Sequence, residues 1–280
     1  VLEKPAHLAC RNVILNEFSV TATEYMLLFA ALQPHTITIK TADQDYPIQE
    51  LTKVLQHMGV KITLAGSHVI EVRGKRELRG MNHTLMFDPI EAGTFLVLAA
   101  ASRGQVLVKN VETRFLELFL KKLKEFGVPL QVISERNGLA NMKVSPWRKI
   151  QIDRIQTFIY PGIHTDLQSP LGVLATQAKG STLLHDPLYP GRLKYLEELN
   201  KMGAEIYIAD PHRAIINGPT KLSGRDLGTF DLRGGAALII AALIAKGKST
   251  ISNIYQVDRG YEKIEERLQQ LGADIQRVNV

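Results

Sequence analysis

The chain holds one cysteine, Cys10, in 280 residues. That excludes an internal disulfide and a metal site of clustered thiolates, and it fits a reducing, cytoplasmic setting. Aromatic residues make up 6% of the sequence, with a single tryptophan. Lys and Arg are scattered beside Glu instead of gathered in one stretch. A nucleic-acid surface needs clustered cations and stacking rings, so no nucleic-acid partner is expected. The net charge of +6 is better read as a few arginines collected in a cleft for a small anion. No apolar run reaches the roughly 18 residues that a membrane span needs, and no membrane partner is expected. Low-complexity segments and a secretory signal are both missing. The sequence opens on Val1 and enters at once on "EKPAHLACRNVIL", which reads as mid-domain sequence. A piece of something longer is expected.

What the sequence does contain is repetition. "QHMGVKITL", "KEFGVPLQV", "NKMGAEIYI" and "QQLGADIQRV" pivot on Gly59, Gly127, Gly203 and Gly272. By subtraction the pivots lie 68, 76 and 69 residues apart, the mark of a repeated supersecondary unit. In each, an amphipathic helix ends, Gly takes the left-handed position after it, and an alternating strand is expected to follow. Each unit also has an earlier half: a polar cluster, an almost wholly apolar helix, then a strand. The apolar helices lie in "SVTATEYMLLFAALQPHTITI", "DPIEAGTFLVLAAASRGQVLV", "TDLQSPLGVLATQAKGSTLL" and "DLRGGAALIIAALIAKGKSTI". A helix apolar on every side is buried on every side, so these are inner helices and the charged ones lie outside. No unit buries its inner helix alone; several must combine. A boundary is expected at the charged, Gly-punctuated stretch 73–83, giving domains 1–80 and 81–280.

The inner helices begin at Ser19–Thr23, Asp88–Thr94, Thr165–Gln168 and Asp231–Gly235. Helix N-termini attract phosphates and carboxylates; the same residue types are also ordinary helix caps, and both readings stay open for each cluster. Three neighbouring motifs favour chemistry. "YPGIHTDLQ" sets Asp166 beside a helix start. "DLRGGAAL" places Asp231 and Arg233 at another, with glycines that let backbone approach a ligand. "LYPGR" and "DRGYE" each carry an arginine, Arg192 and Arg259, on a loop at the equivalent place in successive units. His164, next to Thr165, could titrate near neutrality, but is read as a loop residue without a role.

These motifs, with "GRLKYLEELNKMGAEI" and the long C-terminal stretch from Asp231, closely resemble the UDP-N-acetylglucosamine 1-carboxyvinyltransferases of the enolpyruvyl transferase family. The likeness extends back through "DPIEAGTFLVLAAA" and more weakly "SVTATEYMLLFAAL", essentially the whole chain. It implies an α/β (α+β) fold: an inside-out α/β barrel of repeated units of about 70 residues, four present of an expected six. Residues 1–80 would be the last unit of an incomplete first domain and 81–280 a complete three-unit second domain. It implies transfer of the enolpyruvyl group of phosphoenolpyruvate to the 3-hydroxyl of UDP-N-acetylglucosamine, through a tetrahedral ketal that expels phosphate. This is the first committed step of peptidoglycan precursor synthesis.

By motif match Asp166 would face the sugar hydroxyl as base or orienting group. Arg233 and Arg259 would neutralise the phosphate and carboxylate. Arg192, Asp231 and Tyr189 would line the same cleft, Ser19 and Val20 would hold the diphosphate end through backbone groups, and Asp45 and Asp88 would be substrate-binding acids. No metal or organic cofactor is required. The departures are Thr21 where the family has Gly, "YPGR" where it has an acid-Asn-Arg sequence, and the absence of its opening Lys-Asn pair and of its mobile Cys- or Asp-bearing loop. Cys10 reads as a buried strand thiol and no substitute. The chain alone is therefore expected to be incomplete for catalysis, its first unit covered by a missing N-terminal segment or a second chain. The alternative is a non-catalytic homologue that binds a nucleotide-sugar or a protein partner. The four-unit RNA 3′-phosphate cyclases match the repeat count but not the motifs.

Overall fold

Ser19 ends an extended segment, and its hydroxyl accepts the Ala22 N–H at 3.2 Å, which starts the first helix. In this computed structural model residues 11–278 are described, and the chain divides into two units, Val1–Met86 and Phe87–Val280. Residues 81–86, assigned by sequence to the second domain, lie with the first. There Glu50 takes both the His83 ring, at 2.8 Å, and the Met86 N–H, at 3.0 Å. Cys10 lies outside the described residues.

The first unit runs β1 (Asn12–Ile14), α1 (Val20–Ala31), β2 (Thr36–Lys40), α2 (Tyr46–His57), β3 (Lys61–Gly66) and β4 (Val69–Arg73). Its sheet has the order β1-β2-β4-β3, with β1 parallel to β2 and the remaining pairs antiparallel. The alternation in "TITIK" turns Ile37 and Ile39 to one face, where the register sets them opposite Val72 and Ile70. All four are buried, together with Leu27 and Ala30 of α1 and Ile48 and Leu55 of α2. Tyr25, Leu28 and Leu32, on or beside α1, are exposed. Within its unit this apolar helix covers only one side of itself, against the sheet and α2.

The second unit contains α3 (Pro89–Ala101), β5 (Val106–Glu112), α4 (Glu117–Glu125), β6 (Leu130–Arg136), β7 (Leu139–Val144), β8 (Arg154–Gln156), α5 (Gln168–Ala175), β9 (Gly180–His185), α6 (Tyr195–Lys201), β10 (Glu205–Asp210), β11 (Arg213–Gly218), β12 (Asp226–Gly228), α7 (Leu232–Ile244), β13 (Thr250–Ser252), α8 (Tyr255–Asp258) and α9 (Ile264–Gln270). Its sheets are β5-β7-β6, β8-β9-β11-β10 and the parallel pair β12-β13. The second of these repeats the order and directions of the first unit's sheet. The described residues form four separate, open sheets, and no closed sheet is seen among them.

Two features depart from the sequence pattern. Each strand that follows Gly59, Gly127 or Gly203 is joined by a hairpin to a further strand, β4, β7 or β11, which the repeat pattern had not separated out. Gly272 adopts the same positive φ as the other pivots, 92° against 93–100°, yet residues 273–278 form no strand. The other three strands each pair with the hairpin strand that follows, and no such partner follows here among the described residues.

Helices α3, α5 and α7 pack on one another, and nearly every residue of α3 and α5 is buried. Gly172 on α5 shows how close the approach is. A Cβ there would lie 2.0 Å from the hydroxyl of Tyr195, whose ring is fully buried at the start of α6. Gly172→Ala is thus expected to cost about 2–3 kcal/mol through overpacking, read as a shift in the denaturant midpoint. A neutral result would mean that the ring can move aside.

Candidate active site

Asp166 lies in a short turn, Thr165–Leu167, that leads into α5. The imidazole Nδ1 of His164 accepts the Asp166 N–H at 3.0 Å, and the Thr165 hydroxyl donates to the carboxylate of Asp186. Asp186 is fully buried. Its other oxygen accepts the N–H groups of Leu188 and Tyr189, at 3.1 and 3.3 Å. One buried acid therefore ties the Asp166 turn to the loop that carries Tyr189 and Arg192. At α7 the side chain of Asp231 accepts the N–H groups of Arg233 and Gly234, at 2.9 and 2.8 Å, which fixes where Arg233 leaves the helix.

These elements enclose a cleft of about 520 Å³, lined by Asp166, Tyr189, Arg192, Lys194, Phe230, Asp231, Leu232, Arg233, Gln256 and Arg259 among others. Arg192 Nη1 donates to one oxygen of Asp166 at 2.6 Å, and Arg233 Nε donates to the other at 2.9 Å. Arg192 also lies over the Tyr189 ring, 4.8 Å from its centroid. Arg259, just after α8, donates to Gln256 at 3.4 Å and pairs with no carboxylate in the cleft. Burial pushes the Asp166 carboxyl upward, but the electrostatic pull of its neighbours, the guanidinium groups of Arg233 and Arg192 among them, outweighs it and holds the group below its ordinary value. The Arg233 guanidinium, although desolvated, is held charged by Tyr261 and Asp166. Among the described residues no three His, Cys, Asp or Glu side chains gather as a metal cluster.

Of the residues singled out by sequence, Asp166, Tyr189, Arg192, Asp231, Arg233 and Arg259 are brought to this one cleft. Asp88 is not among its lining residues; it caps α3, accepting the N–H groups of Ile90 and Glu91 at 2.8 and 3.2 Å. Ser19, Val20 and Asp45 belong to the first unit. Ser19 caps α1, Val20 is its first residue, and Asp45 is a buried cap of α2 that accepts the Tyr46 N–H at 2.7 Å. Thr21 is exposed on the first turn of α1. Sequence reasoning missed Lys194, Phe230 and Gln256 on the cleft wall, and Asp186 beneath it. For Asp186 a signal existed: Asp followed by Pro in "HDPLY" suits a side chain that bonds the backbone two residues on. His164, read as idle, holds the Asp166 backbone.

The family model for EPSP synthase (3-phosphoshikimate 1-carboxyvinyltransferase) matches residues 11–268. The chain belongs to this family. Within it, two curated relatives are informative. UDP-N-acetylglucosamine 1-carboxyvinyltransferase 2 of Listeria monocytogenes is 40% identical over 266 residues, 95% of this chain and 62% of that protein. The UDP-N-acetylglucosamine 1-carboxyvinyltransferase of Treponema denticola is 36% identical over 279 residues, with 95% and 63% covered. The chain thus spans less than two thirds of the length of these relatives. Among solved structures, the enolpyruvyl transferase NikO from Streptomyces tendae matches 99% of this chain and 67% of its own, with a TM-score of 0.89 and 23% identity. EPSP synthase from Acinetobacter baumannii matches 94% and 62%, with a TM-score of 0.72 and 19% identity. The fold is therefore the α/β fold of the EPSP synthase family, and the arginine-flanked Asp166 sits in a member of a family of carboxyvinyl transferases.

Proposed function

We propose that this chain carries part of the active site that moves the enolpyruvyl group of phosphoenolpyruvate onto the 3-hydroxyl of UDP-N-acetylglucosamine, releasing phosphate. The observation that carries this is the carboxylate of Asp166 gripped by Arg192 and Arg233 at 2.6 and 2.9 Å, with Arg259 on the same cleft wall. The names of the relatives at 36–40% identity support the choice of substrates.

Phosphoenolpyruvate brings a phosphate and a carboxylate, and a poorly solvated cleft must offset both with cations; arginine does so in bidentate fashion. As the sugar oxygen bonds to the central carbon of phosphoenolpyruvate, its proton leaves and the methylene carbon gains one, giving the tetrahedral ketal. Loss of a methyl proton then restores the double bond as the C–O bond to phosphate breaks. Asp166 is a weak base while two arginines hold it. When the anion draws Arg192 and Arg233 away, the carboxylate is freed and its proton affinity rises, so substrate binding itself arms the base. Tyr189 and Asp231 face the nucleotide-sugar in this scheme. Ser19, Val20, Asp45 and Asp88 keep the substrate-binding roles that the resemblance gives them, beside their capping bonds. Residues 81–280 are taken as three copies of one unit around their inner helices, in an inside-out arrangement, and residues 1–80 as the last unit of a first, incomplete domain. The single cysteine fits a cytoplasmic reaction.

The test is calorimetry with phosphoenolpyruvate, followed by phosphate release in the presence of both substrates. This chain alone is expected to bind phosphoenolpyruvate and to release phosphate slowly. Arg259→Ala, which breaks no ion pair in the cleft, should weaken phosphoenolpyruvate binding about tenfold at unchanged thermal midpoint. Binding no tighter than that of chloride, or an unaffected Arg259→Ala variant, would overturn the assignment.

A further inference from the structure

The DRGYE loop contributes more than Arg259. Tyr261 is fully buried, and its hydroxyl lies 2.8 Å from the Oγ1 of Thr94 on α3. Thr94 Oγ1 also lies 2.9 Å from the carbonyl oxygen of Ile90. A carbonyl only accepts, and a threonine hydroxyl has one proton. Thr94 therefore gives its proton to Ile90, and Tyr261 must donate to Thr94. The lone pairs of the phenol oxygen are left for another donor. The Arg233 guanidinium stands against the same side chain, its carbon 5.5 Å from the ring centroid, and its Nε reaches Asp166 at 2.9 Å.

Packing fixes this contact. A Cβ on Gly235 of α7 would lie 2.5 Å from Val257 of α8, and one on Gly260 would lie 2.9 Å from Leu232. The loop is pressed directly onto the start of α7. Hydrogen bonds thus link the Ile90 carbonyl, Thr94 and Tyr261, and the ring of Tyr261 lies against the Arg233 guanidinium that holds Asp166; the buried Nη1 of Arg233 makes no hydrogen bond of its own. Burial raises the Tyr261 pKa, so the phenol keeps its proton and points it at Thr94.

We propose that Tyr261, oriented by Thr94, is a positioning residue that fixes the guanidinium of Arg233 against Asp166 and thereby sets how the cleft grips an anion. This rests on reading the cleft as the phosphoenolpyruvate site, but its first test needs no substrate. In isotope-labelled protein the Nε–H resonance of Arg233, identified by its loss in Arg233→Lys, reports the bond to Asp166. Tyr261→Phe keeps the ring and removes the hydroxyl; Thr94→Val removes the acceptor; Thr94→Ser retains it.

Hydrogen exchange at Arg233 Nε–H is expected to quicken about tenfold in Tyr261→Phe and Thr94→Val and to stay at the parent rate in Thr94→Ser. The Nε–H of Arg277, paired with Glu265 at 2.7 Å, serves as control and should not change. Because the anion must draw Arg233 from Asp166, phosphoenolpyruvate should bind severalfold more tightly in the same two variants, and the double variant should differ from neither single one. Unchanged Arg233 exchange in folded variants overturns the proposal, as does equal quickening at Arg277, which marks general loosening. If Tyr261→Phe fails to fold, the contrast between Thr94→Val and Thr94→Ser decides. Quickened exchange in a protein that never binds phosphoenolpyruvate would uphold the positioning role and overturn the substrate assignment.

Discussion

Asp166→Asn is expected to destabilise the empty protein and yet bind inorganic phosphate more tightly. In the parent, each oxygen of Asp166 accepts from a different arginine, and all three side chains are largely buried. An amide of the same shape keeps one acceptor and loses the charge, so two guanidinium groups face each other without compensation. Breaking a buried pair by removing one partner costs about 3–5 kcal/mol. Because Arg192 is partly open to solvent, about 2–3 kcal/mol is expected here, or roughly 5–10 °C in thermal midpoint for a unit of this size. Phosphate restores the missing charge. In the parent it must compete with Asp166 for both arginines and is repelled by the carboxylate as well. Relief of both effects should tighten phosphate binding about tenfold by calorimetry, while the phosphate-release activity assigned to the cleft is lost. Weaker phosphate binding in the variant would mean that the arginines do not face the ligand.

The pH dependence follows with a definite sign. The folded carboxyl is held below its ordinary value of 3.8. A depressed carboxylate contributes stability that is present above the unfolded pKa and lost as pH falls through the folded one. The thermal midpoints of parent and Asp166→Asn should therefore stay apart at neutral pH and converge in acid, below the ordinary carboxylate range. A gap that persists under those conditions would place the effect in packing instead of charge.

Much of this was legible because the sequence marks backbone necessity. Gly59, Gly127, Gly203 and Gly272 all adopt the left-handed conformation, which penalises any other residue, so four separated pivots betray the repeat. Ser19, Asp88 and Asp231 do cap helices, and a cap is decided by its own few residues. The sheets were less legible. The Asn137-Gly138 pair, both at positive φ, forms the tight turn that such pairs favour, and it announced the β6–β7 hairpin that the repeat pattern passed over. That the described residues 273–278 form no strand could not be foreseen, because a strand depends on a pairing partner, whereas a pivot needs none. Long-range pairings were least legible of all. Tyr261 meets Thr94 across 167 residues of sequence, and Asp186 meets Thr165 across 21. Neither motif contains a sign of the other.

Asp186 offers the second large effect. Its carboxylate is fully buried and accepts from the Thr165 hydroxyl and from the N–H groups of Leu188 and Tyr189. Alanine would leave three donors without a partner at once, each a desolvated group costing about 1–3 kcal/mol when its bond is not replaced. Leu188 and Tyr189 are part-exposed, and water can serve them, so the total should fall near 2–4 kcal/mol. The loop from Asp186 to Arg192 would then lose its anchor, and Arg192 would no longer be delivered to Asp166. Asp186→Ala should thus lower both the thermal midpoint and phosphoenolpyruvate affinity, although it touches no ligand. Asp186→Asn separates the two causes. Its amide oxygen can still accept the two backbone N–H groups while its NH₂ turns to Thr165, now as donor to the hydroxyl oxygen. The loop should keep its shape and the affinity should stay within about threefold of the parent. If Asp186→Asn loses as much affinity as Asp186→Ala, the buried charge, not the loop bonds, is what the cleft senses.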